Sequence, residues 1–459
     1  MGKLFGTDGI RGVANKAPMT AEMAMNIGRA VAHLFGGKGH APRIVIGRDT
    51  RLSGDMLECA IVAGLCSMGA DAIVAGVIPT PGVAYLAQSI RADAGIVISA
   101  SHNPYEDNGI KIFGNGGFKL PDKTEEAIEE LITEEKAPRL LPSPTKLGSA
   151  SRMDDASGRY TVFLKQSFPR EHSLAGMKIV LDCSNGAASR VAPQVFSELG
   201  AATTTLFNAP DGKNINLHCG SQHPEKLAKK VVESGADAGF AFDGDGDRVI
   251  AVDEKGNILT GDRMLAICAR ILKNEGKLTN NTVVRTVMSN MGLSVALESL
   301  GIDSAITGVG DRLVLEAMQE KGAVLGGEDS GHLIFLEHHT TGDGIITALQ
   351  VAAAMKKEEK PLSELAAIMQ VFPQVLLNVH VKSRTELEGI PEIADAIRQA
   401  EKRLKGHGRV LVRYSGTQHI CRIMAEGPTQ EETEAICRTI ADVVDRRLNA
   451  DAQTKTIIV

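Results

Sequence analysis

The polypeptide has 459 residues, enough for about three domains of ordinary size. With 43% hydrophobic and 23% charged residues it has ordinary globular usage, which excludes a disordered chain, a collagen and a disulfide scaffold. Its 50 basic and 56 acidic side chains leave a net charge of −6, so the chain as a whole attracts neither nucleic acid nor an anionic membrane, and an anionic ligand must be held by local donors. The 48 glycines, set against 12 Phe, 4 Tyr and no Trp, disfavour a stacking platform and favour recognition by backbone-rich loops.

In chain order, Arg43–Asp49 reads as a buried strand and Gly54–Gly69 as a helix with apolar residues at 57, 61, 65 and 68. Ala72–Val77 reads as a strand, Val83–Ile90 as a helix and Ala94–Ser99 as a strand. Strands alternating with helices imply βαβ units and a mainly parallel sheet. An exposed, Glu-rich helix is expected over residues 123–136, with Ile128, Leu131 and Ile132 on one face. A Pro-rich linker or hinge at 138–144 follows it. A second block starts at the strand Lys178–Cys183 and continues with helices near 187–199 and 224–234. A third holds the helix Arg263–Asn274, the strand Thr282–Val287, a helix to Leu300 and the strand Ser304–Thr307. Ser184-Asn185-Gly186 and Ser289-Asn290-Met291-Gly292 each join a strand to a helix, a faint echo suggesting duplicated units. Beyond a flexible join near 370, the strands Val375–Val381 and Arg409–Arg413 and a helix opened by a Thr429/Glu432 capping box predict a small α+β domain.

The N-terminus shows no apolar signal segment, Gly6 stands where a myristoylation site wants Ser or Thr, and no apolar run approaches membrane length. The seven cysteines form no CxxC pair and read as buried small residues of a reducing cytoplasm.

Four loops carry chemistry. Ser99-Ala100-Ser101-His102-Asn103-Pro104 follows a strand end, where parallel sheets gather ligands, and Lys111 lies close behind it. Asp243-Gly244-Asp245-Gly246-Asp247-Arg248 follows the strand Ala238–Phe242. Three alternating carboxylates repel one another unless a cation neutralises them, and oxygen-only ligation suits Mg²⁺ or Ca²⁺. An EF-hand is disfavoured because Arg248 replaces the required Gly and Val249–Val252 reads as a strand. An aspartate-nucleophile phosphatase is disfavoured because Asp247 replaces the hydroxyl residue such enzymes use. Gly326-Gly327-Glu328-Asp329-Ser330-Gly331-His332 reads either as a hairpin turn or as a polar grip for sugar hydroxyls. Arg413-Tyr414-Ser415-Gly416-Thr417 combines a guanidinium, hydroxyls and an open backbone into a phosphate cradle without the Walker lysine.

Taken in this order, one per block, the loops resemble the α-D-phosphohexomutase family over essentially the whole chain. Leu4-Phe5-Gly6-Thr7-Asp8-Gly9-Ile10-Arg11-Gly12 and Ile98–Lys111 most resemble its bacterial branch acting on glucosamine phosphates. The resemblance implies an α/β protein of four domains: 1–155, 156–257 and 258–370, with mixed or parallel sheets around a central cleft, and a smaller α+β domain at 371–459. It implies a cytoplasmic isomerase that moves a phosphoryl group between hexosamine 6- and 1-phosphates, upstream of the amino-sugar nucleotides of the cell wall. Ser101 would carry the phosphoryl group. One Mg²⁺ would be held by Ser101, Asp243, Asp245 and Asp247, and a hexose bisphosphate would be activator and intermediate. Arg11, His102, Lys111, Arg248 and His332 would act at the transfer point, with Lys111 and His332 as acid/base groups. Glu328, Asp329 and Ser330 would grip the sugar, Asp329 facing the 2-ammonium, and Arg413, Ser415, Gly416 and Thr417 would hold the distal phosphate. Gln418 and His419 depart from the family's usual phosphate loop. The partner is a small hexosamine phosphate, not nucleic acid or membrane, and a homodimer is compatible. The alternatives are a mannose or glucose phosphate mutase with the same mechanism, or a catalytically silent sugar-phosphate-binding relative.

Overall fold

The computed structural model describes residues 4–6, 8–36, 40–133, 141–382, 385–414, 419–449 and 457–458. They form two compact units. The first is Met1–Met288 with Ile302–Ile368, and the second is Ser289–Gly301 with Met369–Val459.

The first unit contains three sheets. In the first, the strands run in the spatial order Ile10–Val13, Asp107–Gly114, Ala94–Ile98, Arg43–Arg48, Asp71–Val77, Ala150–Arg152. The second runs Ile258–Leu259, Val249–Asp253, Ala238–Phe242, Lys178–Asp182, Ala202–Leu206, and the third Leu333–Phe335, Leu325–Gly327, Thr282–Thr286, Asp303–Thr307. One arrangement recurs in all three. The first two strands of each block pair in parallel, the third joins the free side of the first, also in parallel, and a fourth returns antiparallel to the third. The central strands are continuous apolar runs, such as Ile44, Val45 and Ile46 with no exposure, as expected of strands covered by helices on both faces.

The loop between third and fourth strand holds Ser101 in the first sheet, the three aspartates in the second and Glu328–His332 in the third. This is the internal repeat of the molecule. The echo between Ser184-Asn185-Gly186 and Ser289–Gly292 falls at matching places in it: each follows the first strand of its block, Lys178–Asp182 or Thr282–Thr286, and opens the helix, Ala188–Glu198 or Met291–Ser299, that leads to the parallel second strand.

Several other expectations are revised. The Glu-rich helix spans Asp122–Thr133 and is not simply exposed, since Glu125, Ile128 and Ile132 are buried. Residues 134–140, which include the start of the expected linker, lie outside the described residues. Past them the chain returns to the first sheet, where Ala150–Arg152 pairs with Asp71–Val77. The helix Gly344–Glu358, which periodicity does not reveal, is apolar almost all round and buried along most of its length, as a core helix should be. Asp343 caps it, accepting from Ile345 and Ile346 N at 2.9 and 3.0 Å, and also accepts the Tyr160 hydroxyl at 2.6 Å. Tyr85 and Phe163 stack beside that contact at 4.2 Å, so some of the few aromatics serve as packing between sheets.

The second unit is built on an antiparallel sheet in the order Arg409–Tyr414, Ile420–Glu426, Gln374–His380, Ile457–Ile458. The helices Pro391–Leu404 and Gln430–Leu448 contribute Ile393, Leu404, Ile436, Ile440 and Val444 to its core. Thr429 Oγ1 accepts from Glu432 N at 3.3 Å as a cap should, but the Glu432 carboxylate accepts from Arg403 Nε at 3.1 Å.

Candidate active site

Ser101 follows the strand Ala94–Ile98 in a left-handed conformation, φ +53°. Serine rarely adopts this geometry, and such strain gathers where structure over-determines a functional residue. Its Oγ donates to Asp243 Oδ2 at 2.6 Å and lies 3.3 Å from His102 Nδ1.

The aspartate loop meets it from the second sheet. Asp243, Asp245 and Asp247 each bring a carboxylate oxygen within 4.8 Å of the others, and all three are buried. The two glycines between them have different tasks. Gly246 turns the chain at φ +74°. Gly244 permits close approach, because a Cβ there would stand 2.5 Å from Ser101 O. Asp243 Oδ1 accepts from Gly246 N and Arg248 N at 3.0 and 3.2 Å. Burial and the charges of Asp247 and Asp245 push the Asp243 carboxyl well above the usual carboxylate range. Burial also opposes ionisation of Asp245, but Lys111 and a hydrogen bond from Thr80 Oγ1 at 2.6 Å outweigh it and hold this carboxyl down. Among the described residues, Asp245 Oδ1 and Asp247 Oδ1 are buried without a hydrogen-bond partner. Three convergent carboxylates, two with an orphaned oxygen, and a serine hydroxyl form a hard oxygen set that fits Mg²⁺.

Cations surround the cluster. Lys111 Nζ lies 3.1 Å from Asp245 Oδ2, 3.1 Å from Asp8 Oδ2 and 3.6 Å from Asp247 Oδ2. Burial works against its charge, but these carboxylates prevail and raise its affinity for the proton. Arg11 pairs with Asp8 and reaches Ala100 O at 3.4 Å. Arg248 Nη1 lies 3.4 Å from His102 Nδ1, and its Nε 3.9 Å from Asp247. Burial, then the charges of Arg248 and Arg11, lower the His102 pKa to about 4.

The third sheet supplies the hairpin Leu325–Gly327/Leu333–Phe335, whose turn carries Glu328, Asp329 and Ser330. His332 at its base is buried, with Nδ1 3.6 Å from Asp247 Oδ2 and Nε2 3.7 Å from Asp311 Oδ2. Glu328 Oε1 accepts from Gly310 N at 3.0 Å. Asp329 Oδ1 faces the start of the helix Gly261–Asn274, 3.4 Å from Asp262 N, a structural task that its sequence did not reveal. Ser330 is exposed.

The structure therefore brings together Ser101, His102, Lys111, Arg11, Arg248, His332 and the three aspartates. Arg413 lies on the strand Arg409–Tyr414 of the second unit, half-buried. Ser415, Gly416, Thr417 and Gln418 lie outside the described residues. Sequence reasoning missed several groups. Asp8 pairs with Arg11, Lys111 and Lys119, and Lys119 pairs in turn with Asp311. Arg51, wholly buried, pairs with Asp49 at 2.8 Å. Asp8 and Arg11 stand three residues apart in one motif, which is a readable signal. Asp49 and Arg51 stand two residues apart, whereas the pairings of Lys111 and Lys119 join residues far apart in the chain.

Comparison with known proteins agrees with this geometry. The chain matches the phosphoglucomutase/phosphomannomutase descriptions of alpha/beta/alpha domain I at residues 2–139, domain II at 159–256, domain III at 260–372 and the C-terminal domain at 376–443. It is 68% identical to the phosphoglucosamine mutase of Syntrophus aciditrophicus over 98% of this chain and all of the relative. It is 58% identical to that of Syntrophobacter fumaroxidans over 97% and 99%. A crystal structure of a phosphoglucomutase/phosphomannomutase family protein from Burkholderia thailandensis superposes with a TM-score of 0.82 at 26% identity, covering 98% of both chains. Aspergillus fumigatus N-acetylphosphoglucosamine mutase, solved with GlcNAc-6P and magnesium, shares the fold with a TM-score of 0.68 at 17% identity over 98% and 96% of the two chains. The chain belongs to the phosphoglucomutase/phosphomannomutase family, and is thus a phosphohexomutase, an enzyme of the isomerase class. No helix among the described residues is long and apolar enough to cross a membrane.

Proposed function

We propose that the enzyme interconverts glucosamine 6-phosphate and glucosamine 1-phosphate through a phosphoserine at Ser101 and a bisphosphorylated sugar. The observation that carries this reading is the Ser101 hydroxyl held 2.6 Å from Asp243 inside a buried three-carboxylate cluster, in a chain whose relatives at 68% and 58% identity are phosphoglucosamine mutases.

Phosphoryl transfer is largely a matter of positioning and charge neutralisation. Mg²⁺ held by Asp243, Asp245, Asp247 and the Ser101 oxygen would neutralise charge on the phosphoryl group. Arg248 and Arg11, on either side of the serine loop, hold the transferring oxygens. Lys111, ion-paired with three carboxylates, supplies fixed positive charge. His332, whose ring nitrogens lie 3.6 and 3.7 Å from two carboxylates, is better placed to exchange a proton with the sugar hydroxyl than Lys111, whose ammonium is held by three. Glu328 and Ser330 accept and donate to hydroxyls in either orientation of the bisphosphate. Asp329 reads the 2-ammonium with the oxygen it does not spend on Asp262 N. Arg413 and the loop 415–417 anchor the phosphate that is not reacting, so that remote binding energy orients the reacting end. A hexose bisphosphate primes Ser101. Cytoplasmic residence fits the seven free cysteines, five of them buried.

Intact-mass analysis after incubation with glucose 1,6-bisphosphate and Mg²⁺ tests the mechanism. One added phosphoryl group, lost in Ser101→Ala together with turnover, is the expected outcome. A Ser101→Ala protein with full activity refutes it.

A further inference from the structure

The segment Lys213-Asn214-Ile215-Asn216 and the motif Ser184-Asn185-Gly186 have no task in the mechanism above, yet both touch the serine loop or its supports. Asn216 Nδ2 donates to Ser101 O at 2.9 Å and to Asn103 O at 3.0 Å. From the opposite flank Arg51 Nη2 donates to the same Ser101 carbonyl at 2.8 Å and to Asn103 O at 2.9 Å. Arg51 also donates to Asp107 O at 3.1 Å and to Pro104 O, and is fixed by Asp49. A buried guanidinium thus spends its N–H groups on the carbonyls of one loop.

The contacts continue into a ring. Asn216 N donates to Ser184 O at 2.9 Å, and Thr50 Oγ1, beside Arg51, donates to Asn185 O at 2.5 Å. Ala187 N donates to Gly244 O at 2.8 Å, which ties the aspartate loop to the same ring. A Cβ on Gly186 would stand 2.4 Å from Gly244 O, and one on Gly244 would stand 2.8 Å from Asn216 Nδ2. Four non-glycine residues of the ring, Ser101, Ser184, Asn185 and Asn216, have positive φ. Each costs on the order of 1–3 kcal/mol unless its surroundings impose it, and the mutual hydrogen bonds are what impose it here.

We propose that Asn216 and Arg51 are positioning residues for phosphoryl transfer, and that Asn216 sets the register of the serine loop of the first sheet against the aspartate loop of the second. Neither residue touches the transferring group. Both act through the Ser101 carbonyl, and their loss lets Oγ drift from the carboxylate cluster without altering the sugar grip. The proposal rests on the mutase reading.

The test uses Asn216→Gly and Asn216→Asp in the full-length enzyme. Both substituents tolerate the left-handed backbone and neither can donate the side-chain hydrogen bonds, so backbone strain is separated from the clamp. The expected result is a loss of about 10²-fold in kcat, the cost of an ångström-scale misplacement. KM for glucosamine 6-phosphate is expected to stay within about twofold and the melting temperature close to that of the unmodified enzyme. Phosphorylation of Ser101 by glucose 1,6-bisphosphate, followed by intact mass, should slow by a similar factor. Unchanged kcat and phosphorylation rate in both variants overturn the proposal. So does a kcat loss that appears only with a large fall in melting temperature and a shifted KM, which is the signature of a general scaffold role. Failure of the mutase reading looks different: the unmodified enzyme itself is then not phosphorylated.

Discussion

The aspartate loop and the Glu328 hairpin occupy the same place in two sheets of the same topology, yet they are built in opposite ways. Asp243, Asp245 and Asp247 are buried, packed against Ser101 and surrounded by Lys111 and Arg248. Glu328 and Asp329 are half-buried and Ser330 is exposed. On the proposed mechanism the buried, charge-dense loop is the reacting end and the open, polar hairpin is the sugar end. That division suits a reaction in which one phosphoryl site is fixed and the sugar must be held in two orientations. Preorganised charge lowers the barrier at the first end, and an exposed grip permits reorientation at the second.

Changes at the buried end should be far more costly. Ser101→Ala is expected to lower kcat by more than about 10³-fold, as for removal of a covalent nucleophile, with little change in melting temperature. Asp245→Asn is expected to cost about 10²-fold or more and to abolish Mg²⁺ binding by calorimetry, because it removes charge from a cluster already orphaned at Oδ1. Glu328→Gln, at the open end, should raise KM about tenfold with a smaller change in kcat, since a charge-assisted hydrogen bond to a hydroxyl becomes a neutral one. Equal losses at Asp245 and Glu328 would erase the distinction between the two ends. Asp329→Met should shift the ratio of kcat/KM for glucosamine 6-phosphate over glucose 1-phosphate by about fivefold, the scale of a half-exposed ion pair. An unmoved ratio would leave Asp329 with only its task at the helix start.

The smallest effect at neutral pH concerns the packing between sheets. His339 Nε2 donates to Pro81 O at 2.8 Å while Nδ1 accepts from Thr340 N at 2.8 Å, and burial lowers its pKa to about 4. Its neutral form is therefore favoured by folding. Its contribution is complete above the unfolded value near 6.5 and is lost as pH falls towards 4, by up to roughly 3 kcal/mol. Asp343, raised to about 6 mainly by burial, contributes in the opposite sense, losing stability as pH rises through that value. Denaturation of the unmodified enzyme and His339→Gln across pH 4–7 isolates the histidine. The difference between them should shrink on acidification.

Much of this division is legible in the sequence, for definite reasons. Ala238–Phe242 runs straight into three alternating aspartates, and Ala94–Ile98 into Ser101. An apolar strand followed by glycine-spaced polar residues marks a strand-end site without any knowledge of partners. What stayed hidden depends on distant pairing. Lys119 finds Asp8 and Asp311 across separations that no periodicity encodes. Arg51 carries no sequence signal of its own, although it is among the largest fully buried side chains. The helix Gly344–Glu358 is apolar almost all round until its last turn and so has no amphipathic stripe to detect. Asp329 reads as a free carboxylate because its backbone and side-chain contacts with Gly261 and Asp262 lie far off in sequence.

The central claim is most directly tested by turnover of the purified enzyme on glucosamine 6-phosphate, mannose 6-phosphate and glucose 6-phosphate in parallel, with Mg²⁺ and a trace of hexose bisphosphate. The account predicts conversion of glucosamine 6-phosphate to its 1-phosphate with a kcat/KM about tenfold or more above the other two, the scale of one discriminating polar contact. Equal or greater turnover of the mannose or glucose phosphate, or no turnover of glucosamine 6-phosphate, would contradict it.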